Sequence, residues 1–295
     1  MTQRDFAHFV AIDWSGAVGE RQKGIAVAVA AADGGPPTLI ERSKPWARTE
    51  ILGWLHDGLP DNSLVGLDLG ISLPFVDCGA YFPGNDRSPS DAKALWRLVD
   101  DVCDTDDHFA ASSFTDHSSF APYFRRHGGR EGPMFRCDEA SHGRGRFRVT
   151  EHAQAAMGCK PYSNFNLVGA AQVGKSSLTG MRLLNRLNRP ASVWPIDEVS
   201  ESGPVIVEIY TALASMAAGR SASRSKIRNF KDLDVALEAL GSPPLRRKGP
   251  IDDHASDALL AAAWLRKVAK FDELWHPPAL TPAIARTEGW TFGAI

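Results

Sequence analysis

Two apolar runs in the first seventy residues end alike. HFVAIDWSG (His8 to Gly16) and SLVGLDLG (Ser63 to Gly70) each close on an acid and a glycine turn. Short continuous apolar runs bounded by turn signals read as strands buried on both faces. The chain is therefore committed to a sheet with carboxylates at strand ends. Between these runs, KGIAVAVAAADGG is a second strand closed by Asp33-Gly34-Gly35, close enough to the first to form a hairpin. TLIERSKPW gives a third, more polar strand. TEILGWLHDGL then places Ile51, Leu52, Leu55 and Leu59 at helical spacing behind Thr49. The order is β-β-β-α-β.

From 75 to 160 the periodicity dissolves, apart from a helix over DAKALWRLVDDV. The composition there, rich in Gly, Ser, His, Arg and aromatics, fits an insertion in a single domain spanning 1–295. It is electrically lopsided: residues 120–160 hold eight Lys or Arg against four acids, and 86–107 hold seven acids against three bases. Regular structure resumes with a strand at FNLVG, a helix at LTGMRLLNRL, a short strand at SVWPID and a strong strand centred on Val205 to Ile209. A helix at FKDLDVALEALG is stopped by Gly241, and after the linker SPPLRRKGP a long amphipathic helix is expected over DDHASDALLAAAWLRKVAK.

At 295 residues and 43% hydrophobic content, the chain can bury one large α/β core. A net charge of -2 excludes a uniformly basic nucleic-acid binder, so any such contact must come from local patches. Cys78, Cys103, Cys137 and Cys159 form no C-x-x-C pair, which argues against a zinc site or a disulfide framework. The longest apolar run, Gly24 to Ala32, is too short to span a bilayer, and the start MTQRDF lacks signal-peptide features. The expectation is a soluble cytoplasmic protein with no membrane partner.

Four acids stand among apolar residues: Asp13, Asp68, Glu208 in VIVEIY, and Asp257 in SDALLAAAW. A carboxylate in such surroundings is costly unless a cation or a hydrogen-bond network compensates it. Local explanations compete. Asp13 and Asp68 each precede a turn that they can cap, and Glu208 can point outward from an edge strand. Asp257 has the weakest such explanation, because it follows Asp253 by one helical turn, where like charges repel by about 0.2–0.5 kcal/mol. A bound cation reverses that sign.

The IDWSG, KGIAVA, LDLGISLP and VEIY strands with the terminal HASDALLAAAW resemble the RNase H-like superfamily, and within it a family of predicted nucleases, domain of unknown function 429. The resemblance implies a mixed α/β sheet, three antiparallel strands followed by parallel ones, with acids holding divalent metal. It assigns Asp13 to the first-strand acid, Asp68 to the fourth-strand acid, Glu208 to the acid of the V-E-[IV]-[YH] strand, and Asp257 to the terminal-helix acid. Resolvase-like members carry D-x-x-D in that helix. Here His254 and Asp253 stand three and four residues before Asp257, and either is a candidate secondary ligand. No residue of 75–160 has an assigned equivalent.

Phosphodiester hydrolysis requires neutralisation of developing negative charge and activation of water, which two metal ions about 3.5–4 Å apart can supply. All-oxygen ligands favour Mg²⁺ or Mn²⁺. The basic run with Arg224, Lys226 and Arg228 is the candidate substrate-binding element for nucleic acid, DNA or RNA, with a solvated loop as its alternative. A rival sits at Gly169 to Ser176, GAAQVGKS, which matches the phosphate-loop pattern but lacks a downstream strand ending in a magnesium acid. Actin-like or kinase-like nucleotide binding through the IDWSG and LDLG turns, and a catalytically inactive nucleic-acid-binding module, are the other readings.

Overall fold

The computed structural model describes residues 4–138, 140, 142–169, 172–187, 191–221 and 226–295. Eight strands are present among them: β1 His8–Asp13, β2 Arg21–Gln22, β3 Ala26–Ala31, β4 Thr38–Leu39, β5 Trp46–Ala47, β6 Ser63–Asp68, β7 Ser192–Trp194 and β8 Val205–Glu208. Six of them make one mixed sheet in the order β4-β3-β1-β6-β8-β7, while β2 and β5 pair separately. β3 runs antiparallel between β1 and β4, and β6, β8 and β7 continue in parallel from β1. The expected third strand survives only as Thr38–Leu39; the polar remainder of TLIERSKPW leaves the sheet.

Helices cover both faces: α1 Arg48–Gly53, α2 Ala92–Val102, α3 Ser112–Asp116, α4 Val149–Ala156, α5 Val173–Asn185, α6 Thr211–Ala217, α7 Phe230–Ala239, α8 Asp253–Val268, α9 Asp272–Trp275 and α10 Pro282–Thr287. Strand alternation divides the core. Val10, Ile12, Val65, Leu67 and Ile206 share one layer with α2, α5 and the aromatics Phe82, Phe114, Phe120, Phe124 and Phe165. Phe9, Ala11, Ala28, Leu64 and Val207 share the other with α6, α7, α8 and the terminal Trp290 and Phe292. The aromatics of 75–160 thus pack ring against ring and are continuous with the core on this face of the sheet.

α8 is buried almost all round from Ser256 to Leu265, so the amphipathic helix expected from the sequence is instead a central one, enclosed by β1, β3, α6 and α7. Small side chains make this close approach possible. Gly66 of β6 leaves room for Ile209 and Leu265, whose side-chain carbons would lie 2.8 Å from a Cβ placed there. The Asp252 carboxylate caps α8 by accepting from the amides of His254 and Ala255.

Two further expectations are corrected. Cys78 and Cys137, 59 residues apart in sequence, are joined in a disulfide, a pairing invisible to spacing rules, while Cys103 and Cys159 are buried free thiols. Phe165 to Gly169 is not a strand; its one ladder contact is an isolated bridge from Asn166 to Arg125. Phe165 packs among Phe82, Tyr123 and Phe124, so burial by neighbouring loops, not a sheet, explains this apolar run. Among the described residues no helix is long and apolar enough to cross a membrane.

Candidate metal centre

β1 and β6 run in parallel register, with Asp13 directly opposite Asp68. Both carboxylates therefore emerge at the same end and on the same face of the sheet, the face that α8 covers. Asp257, on the second turn of α8, meets them there. Burial first, then the Asp13 charge and hydrogen bond, then the Asp257 charge push the Asp68 carboxyl well above its ordinary range; the Thr211 amide opposes the shift. Asp257 is raised to about 6, chiefly by burial, with the Lys226 ammonium pulling it down and Asp13 pushing it up. Three acids from three separate elements therefore share one electrostatic environment.

Their immediate partners are cationic or hydrogen-bonding. His254 Nδ1 lies 2.5 Å from Asp13 Oδ2, a contact that raises the imidazole's affinity for a proton. Lys226 Nζ donates to Asp257 Oδ2 at 3.0 Å and sits 3.4 Å from Asp253 Oδ2. Thr211, at the start of α6, turns its amide and hydroxyl toward Asp68 at 3.4 and 3.3 Å. One ligand atom from each of Asp252, Asp253 and His254 lies within 4.8 Å of the others. The donor set is dominated by carboxylate oxygen with one imidazole, which fits Mg²⁺ or Mn²⁺. Only Asp252, Asp253 and His254 bring three ligand atoms this close in this neighbourhood among the described residues; Asp13, Asp68 and Asp257 adjoin them through the Asp13–His254 hydrogen bond and their shared charge field, and would have to draw together to hold an ion.

Glu208 is not brought to this cluster. Its register partner is Leu67, one residue short of Asp68, and that single step turns its side chain to the opposite face. There its carboxylate receives both terminal nitrogens of Arg148, at 2.8 and 2.6 Å, together with the Ile71 amide at 2.8 Å and the Thr291 hydroxyl. Arg148 also binds Glu151, and both partners are buried. Glu208 is thus a structural acid that anchors the segment following β6. Arg228 is exposed, 3.9 Å from Asp253, and Lys226, also exposed, is held by Asp257 and Asp253. Arg224 lies outside the described residues.

The sequence reading missed three supports of the site. Thr211 and Asp252 carry helix-start signals that were read past. Arg48, fully buried, has no signal near the acids at all. Its guanidinium donates to the carbonyls of Ser15, Ala17 and His108, fixing the turn that follows Asp13. Burial, and then the charge of Arg182, lower its pKa to about 10.

The phosphate-loop match also has a definite geometry. GKSS lies inside α5, and the amides such a loop would aim at a phosphate are already bonded: Gly174 to the Asn166 carbonyl, Lys175 and Ser176 to the Gln172 carbonyl. Gly16 presses on the same turn, and a Cβ there would lie 2.4 Å from the Ser176 nitrogen. No family model, curated protein or solved structure matches the chain.

Proposed function

We propose that this protein is a divalent-metal-dependent nuclease with an RNase H-like sheet. The observation that carries this reading is the meeting of Asp13, Asp68 and Asp257, drawn from β1, β6 and α8, at one end of the sheet. The strand order supports it, since three antiparallel strands are followed by parallel ones from β1 outward, with β7 as an added edge. Bound Mg²⁺ or Mn²⁺ would supply charge neutralisation at a phosphate and a more acidic water.

The chain's own residues do the rest. The three carboxylates present oxygen ligands whose mutual repulsion favours a cation between them. Lys226 supplies part of that positive charge from Asp257 outward, and His254 holds Asp13 in a fixed orientation. The occupied amides of α5 weigh against a nucleotide-binding loop. Lys226 favours one second reading, a charge-balanced centre that binds nucleic acid without cutting it, because its ammonium already neutralises Asp257.

The test is cleavage of labelled single- and double-stranded DNA and RNA with Mn²⁺, Mg²⁺ or EDTA. Metal-dependent cleavage lost in Asp13→Asn and Asp257→Asn supports the nuclease. Binding with no cleavage under any metal would leave the second reading standing in its place.

A further inference from the structure

A second feature lies on the other face of the sheet from the acid cluster, joined to it around the carboxyl edge by the turn after Asp13, and takes no part in holding it. The turn from Gly16 to Val18, α3, the 125–129 segment and the start of α5 enclose a cavity of about 710 Å³. Its wall carries Arg125, Arg126, His127 and Lys175, and one acid, Asp116, which is already paired with Arg126. Lys175 and Arg125 are half-buried, and neither has a carboxylate partner within salt-bridge distance among the described residues. Arg125 donates to the Gly129 carbonyl at 3.4 Å and feels the Glu131 carboxylate, but Glu131 is itself paired with Arg136, so the wall keeps a positive excess that an anion in the cavity would neutralise. Phosphate matches this pair: a guanidinium binds it through two parallel N–H groups and an ammonium as a point charge.

Position identifies whose phosphate it is. The cavity wall begins at Gly16, three residues after Asp13, so the two backbones are at most about 11 Å apart. A strand rising about 3.4 Å per nucleotide covers that in a few units. Arg48 holds the intervening turn rigid through the Ser15 and Ala17 carbonyls, which fixes the spacing. At about 710 Å³ the cavity takes one backbone unit of a strand rather than a whole duplex. Among the described residues no Trp, Tyr or Phe lines it to stack a base, so the grip is on the backbone.

We propose that this cavity binds a backbone phosphate of single-stranded nucleic acid, held by Lys175 and Arg125 a few nucleotides from the phosphate at the acid cluster. The inference rests on the nuclease reading for its second anchor. It also gives the lysine of the phosphate-loop match a role that the bonded amides of that loop do not.

The experiment measures anisotropy of a labelled 12-nucleotide single strand with the full chain in EDTA, across a salt series. Wild type, Lys175→Ala, Arg125→Ala and, as a distant control on α8, Lys267→Ala are compared after their melting curves are matched. Lys175→Ala and Arg125→Ala should each weaken binding about 5–10-fold and lower the salt slope by about 0.7, the value of one lost single-strand phosphate contact. Lys267→Ala should change neither. Unchanged affinity and slope in both cavity variants would overturn the proposal, as would tighter binding of ATP than of the strand with only the ATP binding lost in Lys175→Ala. Cleavage with Mn²⁺ is scored separately. A wild type that binds through Lys175 and Arg125 but never cuts sinks the nuclease reading and leaves the phosphate site in place.

Discussion

Asp68 and Glu208 are both acids at the carboxyl ends of neighbouring parallel strands, yet a one-residue difference in register sends one to the acid cluster and the other into a buried ion-pair network. Strand ends were legible because apolar runs stop where they stop; the face was not, because it depends on pairing across 140 residues. Removing Arg148 leaves two carboxylates facing each other without their cation, so Arg148→Met should cost about 3–5 kcal/mol of stability, read from the denaturant midpoint. Glu151 in the same network gives a pH signature. Burial pushes its carboxyl up from 4.5 to about 7 against the pull of Arg148. A folded-state value above the unfolded one means that the folded protein holds the extra proton between those limits. Stability from this group therefore falls as pH rises from 4.5 to about 7 and levels off above. Glu151→Gln should flatten that limb of the melting-temperature profile; an unaltered slope would place the pH dependence elsewhere.

At the level of elements, the strands β1, β3 and β6, helix α1 and the VIVE strand were readable because each has a local signal, period or turn, that its neighbours do not override; the two-residue β2 and β5, which pair with each other, carry none. FNLVG and α8 were misread for a common reason: a short apolar run does not reveal what covers it. Aromatics from the 75–160 segment cover Phe165, and α6, α7 and the C-terminal residues enclose α8. The closeness of α8 to the sheet carries Asp257 to its partners, and Gly66 maintains it. Gly66→Ala sets a Cβ 2.8 Å from side-chain carbons of Ile209 and Leu265, so one of them must move. The expected cost is about 1–3 kcal/mol in chemical denaturation, since overpacking a dense interior forces side chains off their rotamers. A neutral result would mean that α8 has slack, and that its register on the sheet is not what positions Asp257.

Across the whole molecule, the net charge of -2 conceals a local separation: acids gather where β1, β6 and α8 meet, and cations line the cavity beyond the Gly16 turn. Composition revealed neither, because both are assembled from distant segments. The three strand-end and helix acids could be suspected from their apolar surroundings and Lys226 from its basic run, though as a substrate contact rather than a partner of Asp257, whereas Thr211 and Arg48 enter the site only through folding. If those acids are built for a shared cation, the charged form of Asp257 is disfavoured in the metal-free fold, as its raised pKa of about 6 indicates. Asp257→Asn should then fold without penalty and lose the ion. The most direct measurement is a calorimetric Mn²⁺ titration of wild type and Asp257→Asn near neutral pH. The expected result is saturable binding by the wild type and affinity at least tenfold weaker in the variant, about 1.4 kcal/mol or more. Equal binding by both proteins, or no uptake by the wild type at millimolar Mn²⁺, would contradict a metal centre at Asp13, Asp68 and Asp257.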